Sequence, residues 1–490
     1  MGYDAIIIGA GLSGLTSALL LARNDRKVLV VEKHHSPAPV LSGFERKGLY
    51  FDSGFHYAGG LGVDGPLLPL LRYLGLEDRL QFFPYAEDGF DSLRLTASGS
   101  EFSLPIGFAN ICKYLRTKFP AAATEINLYL DEIASTWRNT PYLNLNVDFN
   151  DFKLSSVHEC SLQQRLEVFA PWPQLQSLLS MHCLLYGVPP KTAPFSLNAQ
   201  VVGSYYDSVH GIVGGGRSLV QGLLAEAQRL GVDIQCNAGV DGILVEKGVT
   251  SGVRLRAGTK VVAPIVIATV NPATLPELLP PASMRPAYLK RLKRLQQTSS
   301  AYIVFGRNPQ PLEFLRGRNL FVQPQAGGVP EVDVPLEQRS YYLAGADQGD
   351  NGAPTGFIGI VPAQYTEVES FNLAGKQRTP EYRVWKQTMA KRLVQIFRQS
   401  CPELSQFEVL DLATPLTLRD FSSAPNGAIY GVARSVGQYN PLPVTRQTGL
   451  FLAGQGIAAC GLMGTVVSSY LACGSILGHD FLRGELKKWS

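Results

Sequence analysis

At 490 residues the chain is too long for one ordinary core and long enough for about two to four domains. Apolar residues make up 45% and charged residues 17%, a folded-protein balance, and a formal net charge of +4 is too mild to argue for nucleic acid. With no basic run, aromatic–basic interleave or recognition-helix pattern, nucleic acid is not an expected partner. Seven cysteines, an odd number, stand far apart with no CxxC pair. That fits neither a disulfide framework nor a metal site and points to a reducing, cytoplasmic setting. The seven histidines include no HExxH, so no metal is expected.

The run Tyr3-Asp4-Ala5-Ile6-Ile7-Ile8 reads as a short strand buried on both faces of a parallel sheet. Gly9-Ala10-Gly11-Leu12-Ser13-Gly14 follows, and a helix is expected over about 15–23. Gly9 allows the tight turn, Gly11 lets the backbone approach a pyrophosphate, and Gly14 lets helix and strand pack closely. The helix N-terminus offers free N–H groups to the phosphates. A lone GxGxxG is weak evidence, but here 27–31 makes a second strand and Glu32 closes it. Glu32 stands 18 residues after Gly14, where a carboxylate binds ribose hydroxyls. An acid there disfavours a 2′-phosphate, and with it NADP.

Phe51-Asp52-Ser53-Gly54-Phe55-His56-Tyr57 comes next, and from 67 to 212 amphipathic helices are expected at 67–74, 108–118, 122–137 and 162–186. They carry no catalytic pattern and read as a substrate-covering region. A helix begins at Gly214-Gly215-Gly216-Arg217 and runs to about 230, feeding strands at 240–246, 249–256 and 261–268 that return to the nucleotide sheet. The triple glycine lacks the rest of the strand–turn–helix–strand–acid order, so no separate NAD(P)H domain is expected.

The stretch 449–478 holds no charged residue and is long enough to span a bilayer, yet its Gly, Ala and Ser content fits a buried strand, turn and helix better. Gly449-Leu450-Phe451-Leu452-Ala453-Gly454-Gln455 is the strand and turn; Cys460-Gly461-Leu462-Met463-Gly464 opens the helix. A glycine-rich helix N-terminus suits an electron-rich group such as a flavin carbonyl.

With these segments the chain resembles the phytoene desaturase, carotenoid isomerase and retinol saturase superfamily, whose fold is similar to that of amine oxidases. The resemblance rests on 8–32, on Gly48 through Tyr57, on Tyr186-Gly187-Val188-Pro189-Pro190, on Thr414-Pro415-Leu416-Thr417 through Tyr430-Gly431, and on Gly454-Gln455 with 460–464. The Gly-Phe-His-Tyr segment and the Gly-Gln turn are most similar to the retinol saturase branch. It implies an FAD cofactor and an α/β fold: a discontinuous Rossmann-like FAD domain over 1–66, 211–285 and 441–490, with a mixed α+β substrate domain over 67–210 and 286–440. It also implies an apolar polyene or isoprenoid lipid as substrate and association with a membrane surface, for which Phe169-Ala170-Pro171-Trp172 is the candidate contact.

Carried over position by position, Gly9, Gly11, Leu12, Ser13, Gly14, Glu32 and Lys33 hold the ADP half. Val240 resembles the residue whose backbone meets adenine. Gly454, Gln455, Leu462, Met463 and Gly464 face the ribityl chain and the isoalloxazine ring. One departure stands out: Ala38-Pro39 occupy the positions of a family Gly-Gly pair, and proline has fixed φ and no N–H. His56 and Tyr57 are the catalytic candidates, for proton delivery or polyene positioning; the alternative is that His56 bonds backbone and Tyr57 packs beneath the ring. The expected activity is saturation of a carbon–carbon double bond. The rivals are cis–trans isomerisation, desaturation, and a non-catalytic prenyl-lipid carrier of the same fold.

Overall fold

The computed structural model describes residues 2–149, 159–281, 283–329, 332–347, 352–372 and 378–489. Ala5–Ile8 forms a strand in which every residue is buried, and Val28–Val31 does the same beside it. Such unbroken apolar runs are what a parallel sheet covered on both faces requires. Three more parallel strands complete the sheet. Asp233–Gln235 lies outside Val28–Val31, while Ile265–Ala268 and then Leu450–Leu452 extend the other side. The first helix, Leu12–Ala22, begins three residues before its expected start, because Gly11 already serves as its N-cap.

The uncharged run near the C-terminus is a buried strand, Leu450–Leu452, followed by the helix Gly461–Leu477. Among the described residues no helix is long and apolar enough to cross a membrane. The C-terminal helix packs along the first helix, where the hydroxyls of Ser13 and Ser469 meet at 2.9 Å. The expected strand at 261–268 is two strands, Lys260–Val262 and Ile265–Ala268, in different sheets. Pro264 separates them; it lacks the N–H that a continuous ladder would use.

A second sheet of seven strands spans the other half of the molecule. Its order is Glu408–Ala413, Ser300–Arg307, Gly356–Ala363, Tyr341–Gly345, Asn319–Gln323, Asp91–Leu95 and Ser100–Leu104. Only Asn319–Gln323 against Asp91–Leu95 runs parallel. The helices Ala123–Arg138 and Phe195–Asp207 pack together, and their buried residues share one core with the Asp91 end of the sheet. The helix expected over 162–186 is broken into Leu162–Leu166 and Pro173–Ser180 with tighter turns after each. Pro171 and Pro173 account for the break, since proline cannot continue a helix but starts one well.

Candidate active site

At the phosphate end, Gly9 adopts φ +103°, and a Cβ on Gly14 would stand 1.9 Å from the Gly9 carbonyl oxygen. A Cβ on Gly11 would meet nothing within 4 Å. That open space faces the start of the first helix, which has no side-chain cap and no acid in its first turn. Its unpaired N–H groups and positive dipole end are what a pyrophosphate fills. The Ser13 hydroxyl is taken up by Ser469, which leaves the Ser13 backbone for that role. Leu12, half-buried, packs against the neighbouring core.

Glu32 is buried, with Oε2 accepting the Ala10 N–H at 2.8 Å and Oε1 accepting the His34 N–H at 2.9 Å. Each oxygen keeps a lone pair for a ribose hydroxyl. The Glu32 carbonyl accepts the Ala238 N–H, which sets the segment leading to Val240 alongside. Lys33 is turned aside onto the Ser423 hydroxyl. Ala38 sits at φ +45°, the left-handed region that favours glycine, and its N–H donates to the Ala10 carbonyl at 3.0 Å. Ala38 thus holds a backbone shape that glycine would adopt freely, at a strain of about 1 kcal/mol.

At the other end Gly454 has φ +122°, and its N–H donates to the Ser468 hydroxyl at 2.8 Å. The C-terminal helix likewise starts without a side-chain cap or an acid. Gly464 lets it close on the preceding loop, since a Cβ there would be 2.4 Å from the Ala459 carbonyl oxygen. Leu462 is buried, and Met463 reaches out so that its Cε lies 2.5 Å from where a Gly60 Cβ would be. The Gln455 side chain lies against Gly431. Ala459 and Cys460, at the start of that helix, pack against the core that holds Tyr57, while His56 lines a hollow with Asp52, Gly214 and Gly215.

Tyr57 does not stand alone. Its hydroxyl donates to Asp91 Oδ2 at 2.8 Å; His182 Nε2 donates to the same oxygen at 2.8 Å; Asn319 Nδ2 donates to Oδ1 at 2.8 Å. The Tyr342 hydroxyl donates in turn to Asn319 Oδ1 at 3.0 Å. Asp91 and His182 are wholly buried. The Tyr57 ring stacks on Tyr85 at 5.4 Å and lies 4.7 Å from Tyr205; the His56 ring is 5.9 Å from Tyr342. Burial and the Asp91 carboxylate hold the Tyr57 phenol well above its ordinary range. The expected proton delivery by Tyr57 therefore meets a physical obstacle: its hydrogen points at a carboxylate, and a phenolate beside that anion is disfavoured. Burial alone lowers His56 to about 4, so its ring is neutral at physiological pH. Asp91, His182, Asn319 and Tyr342 carry no local motif, and only the fold collects them.

A further carboxylate, half-buried Asp52, joins the first half of the chain to the helix Gly215–Arg229. Asp52 Oδ1 accepts the Gly216 N–H at 2.8 Å and the Tyr50 hydroxyl at 2.9 Å. Arg217 lies 4.1 Å over the Tyr50 ring and pairs with Glu45. Burial outweighs these contacts and pushes Asp52 up to about 7. The folded value exceeds the unfolded one, about 3.9. The folded state therefore retains a proton that the unfolded state releases, and this contribution is lost as pH rises from about 4 through 7. Asp52→Asn should flatten that part of the profile, so the difference in unfolding midpoint between variant and wild type should grow in the variant's favour over this interval. A pH-independent difference in thermal melts would refute the assignment.

The expected membrane contact at 169–172 is corrected in part. Phe169 is fully buried, with its ring 5.6 Å from Tyr129. Trp172 instead lines a hollow of about 320 Å³ with Leu95, Phe119, Pro171, Pro173 and Ala326.

Comparison with known proteins places this geometry. The all-trans-retinol 13,14-reductase of Rattus norvegicus is 25% identical over 534 residues, covering 97% of this chain and 86% of that protein. A hydroxyneurosporene desaturase of Rubrivivax gelatinosus is 24% identical over 536 residues, covering 97% and 94%. The crystal structure of an oxidoreductase from Methanosarcina mazei shares the fold, with TM-score 0.67 at 17% identity over 96% of this chain and 99% of that one. A match to the family of flavin containing amine oxidoreductases runs from residue 12 to residue 477, from the first helix through Glu32 to the C-terminal helix; the chain belongs to that family and is a flavin-dependent oxidoreductase.

Proposed function

We propose that the flavin is FAD and that the enzyme saturates one carbon–carbon double bond of a retinoid- or carotenoid-like polyene, collected from a membrane surface. The observation that carries this reading is the packed cluster of Tyr57, Tyr85, Tyr205 and Tyr342, with neutral His56 against Tyr342 and with Cys460, at the start of the C-terminal helix, packed on the same core. Aromatic faces suit a flat conjugated chain. Glu32 and the open ground at Gly11 fit the adenosine and pyrophosphate of FAD. The bound cofactor supplies hydride chemistry. The chain's own residues bind the polyene against the tyrosines, keep water from it and fix its reacting bond. The likeness to a retinol reductase over nearly the whole chain supports saturation, and a desaturase matches over a similar span, so desaturation is the rival that the test must separate.

The test is anaerobic incubation of the pre-reduced holoenzyme with polyene-loaded vesicles, followed by mass analysis of the lipid and sedimentation of the vesicles. A product two hydrogens heavier, with protein on the vesicles, is expected. An isomer of unchanged mass would replace this reading with isomerisation, and a new double bond made by oxidised enzyme would replace it with desaturation. Protein absent from every vesicle fraction would remove the membrane part.

A further inference from the structure

The helix Pro286–Lys293 and its flanks concentrate positive charge. The chain has no acidic residue from 278 to 312, and inside that run Arg285, Lys290, Arg291, Lys293 and Arg294 fall within ten positions. A second acid-free stretch, 421–479, supplies Arg446. The fold brings the two stretches together. Arg291 lies 5.6 Å from the centre of the Tyr439 ring, the Tyr288 and Tyr439 rings meet edge to face at 6.2 Å, and the Gln296 N–H donates to Gln438 Oε1 at 2.9 Å. Arg446 stands within electrostatic range of Tyr288. All six cations are exposed, and among the described residues none of them enters an ion pair.

The ordinary reasons for surface cations do not cover this set. Arginines elsewhere find carboxylates, as Arg254 does with Asp241 and Arg318 with Asp88. The helix dipole favours Lys290, Arg291 and Lys293 in the last turn, but Arg285 is the N-cap of the same helix, where that dipole opposes it. Lys290 also repels Lys293 and Arg294 across one helical turn. Glu277, the acid nearest in sequence, is exposed and pairs with none of them. Six positive charges exceed the whole net charge of +4, so the rest of the chain is on balance negative.

Apolar groups stand among these charges. Leu442 and Val444 are exposed, although the Leu452 N–H fixes their segment by donating to the Pro443 carbonyl at 2.8 Å. Tyr288 and Tyr439 are half-buried beside them. Cations for lipid phosphates, tyrosines for the headgroup level and aliphatic side chains for the acyl boundary make up a bilayer contact. An acidic protein would engage the cations and leave the aliphatic groups without a role. The surface also adjoins the candidate site. Gln297 bridges to Val432, the Thr298 N–H donates to the Gly431 carbonyl at 2.8 Å, and Gly431 lies against Gln455.

We infer that the helix Pro286–Lys293 and the segment 439–446 form the face by which this protein docks on a bilayer that carries anionic lipid. The inference rests on the membrane part of the reading above and gives it a place and a lipid charge. Docking here sets the Gln455 turn near the surface from which an apolar lipid is collected.

The experiment is sedimentation of flavin-loaded protein with vesicles of phosphatidylcholine alone or with about one-third phosphatidylglycerol. At about 0.1 M salt wild type should bind the anionic vesicles at least about tenfold more tightly, and the preference should shrink as salt rises to about 0.5 M. Lys290→Gln, Arg291→Gln, Lys293→Gln and Arg294→Gln together should reduce it to within about twofold. All four side chains are exposed and glutamine is a good helix former, so the fold should hold. Removing three exposed cations from the helix Phe108–Lys118, by Lys113→Gln, Arg116→Gln and Lys118→Gln, should change the preference by less than about twofold. A preference retained by the fourfold variant, or lost in the 113–118 variant instead, would overturn the inference. If the fourfold variant loses its flavin or its thermal transition, Arg285→Gln with Arg446→Gln should still lower the preference about fivefold, and no change there would overturn it. Equal binding of wild type to both vesicles would defeat this inference and leave collection from a membrane standing. Binding to neither would remove membrane collection too, and capture by polyglutamate in that case would assign the face to an acidic protein.

Discussion

Gly14→Ala is expected to leave the protein without flavin and to lower its stability by about 3 kcal/mol or more, at the upper end for overpacking. The added methyl would stand 1.9 Å from the Gly9 carbonyl oxygen and 3.0 Å from its carbon, both backbone atoms that no rotamer change can move aside. Relief requires the first helix to retreat from the first strand, which also shifts the turn between them. Gly11→Ala supplies the contrast. Its methyl would meet no protein atom within 4 Å, so the fold should keep its wild-type denaturation midpoint while flavin content drops. The pair is read by the ratio of flavin to protein absorbance after purification and by urea unfolding of the cofactor-free proteins. Equal flavin content in both variants and wild type would remove this turn from the cofactor site.

Glu226→Gln is expected to destabilise the protein by about 3 kcal/mol without touching the site. The Glu226 side chain is 3% exposed and accepts from Arg229 at 2.6 Å, Arg79 at 3.1 Å and Arg23 at 3.5 Å. It thereby ties the helix Gly215–Arg229 to the first helix and to the turn after Tyr73. The amide keeps the shape but loses the charge that three guanidinium groups share, and one of its atoms becomes a donor facing donors. Arg229→Ala should cost much less, because that side chain is 54% exposed and Glu226 retains two partners. Equal effects of the two substitutions in urea melts would show that the network is not centred on Glu226.

The parts of the fold that were legible in the sequence are those where chemistry is local. Gly9 through Glu32 lie within one strand–turn–helix–strand unit, and each residue type there answers to a backbone need at its own position. The C-terminal strand and helix were readable for the same reason, as glycines framing an uncharged run. The breaks were harder: the apolar spacing of 162–186 continues through Pro171 and Pro173, so periodicity alone outweighed the two prolines. The Asp91 cluster was not legible at all. His182 is 91 positions from Asp91 and Asn319 is 228, and each sits in an ordinary half-apolar stretch. Only the parallel pairing of Asp91–Leu95 with Asn319–Gln323 aligns Asp91 with Asn319. Tyr57 stood out in the sequence as a candidate, but the partner of its hydroxyl, Asp91, lies in the seven-stranded sheet, where no local pattern points to it.

The five-stranded sheet also sets a timetable for synthesis. Its strands come from 5–31, then 233–268, and last from Leu450–Leu452, which pairs with Ile265–Ala268. While the ribosome is still making the intervening chain, Ile265–Ala268 has an open edge, and the apolar flank of Leu12–Ala22 lacks the helix that will cover it. A nascent chain in that state offers an unpaired strand and a greasy groove to its neighbours, the conditions under which polypeptides aggregate or recruit chaperones. The closing pieces arrive only after the long stretch between Ala268 and Leu450 has been made, so the site can close on its cofactor only once the helix Gly461–Leu477 has left the exit tunnel.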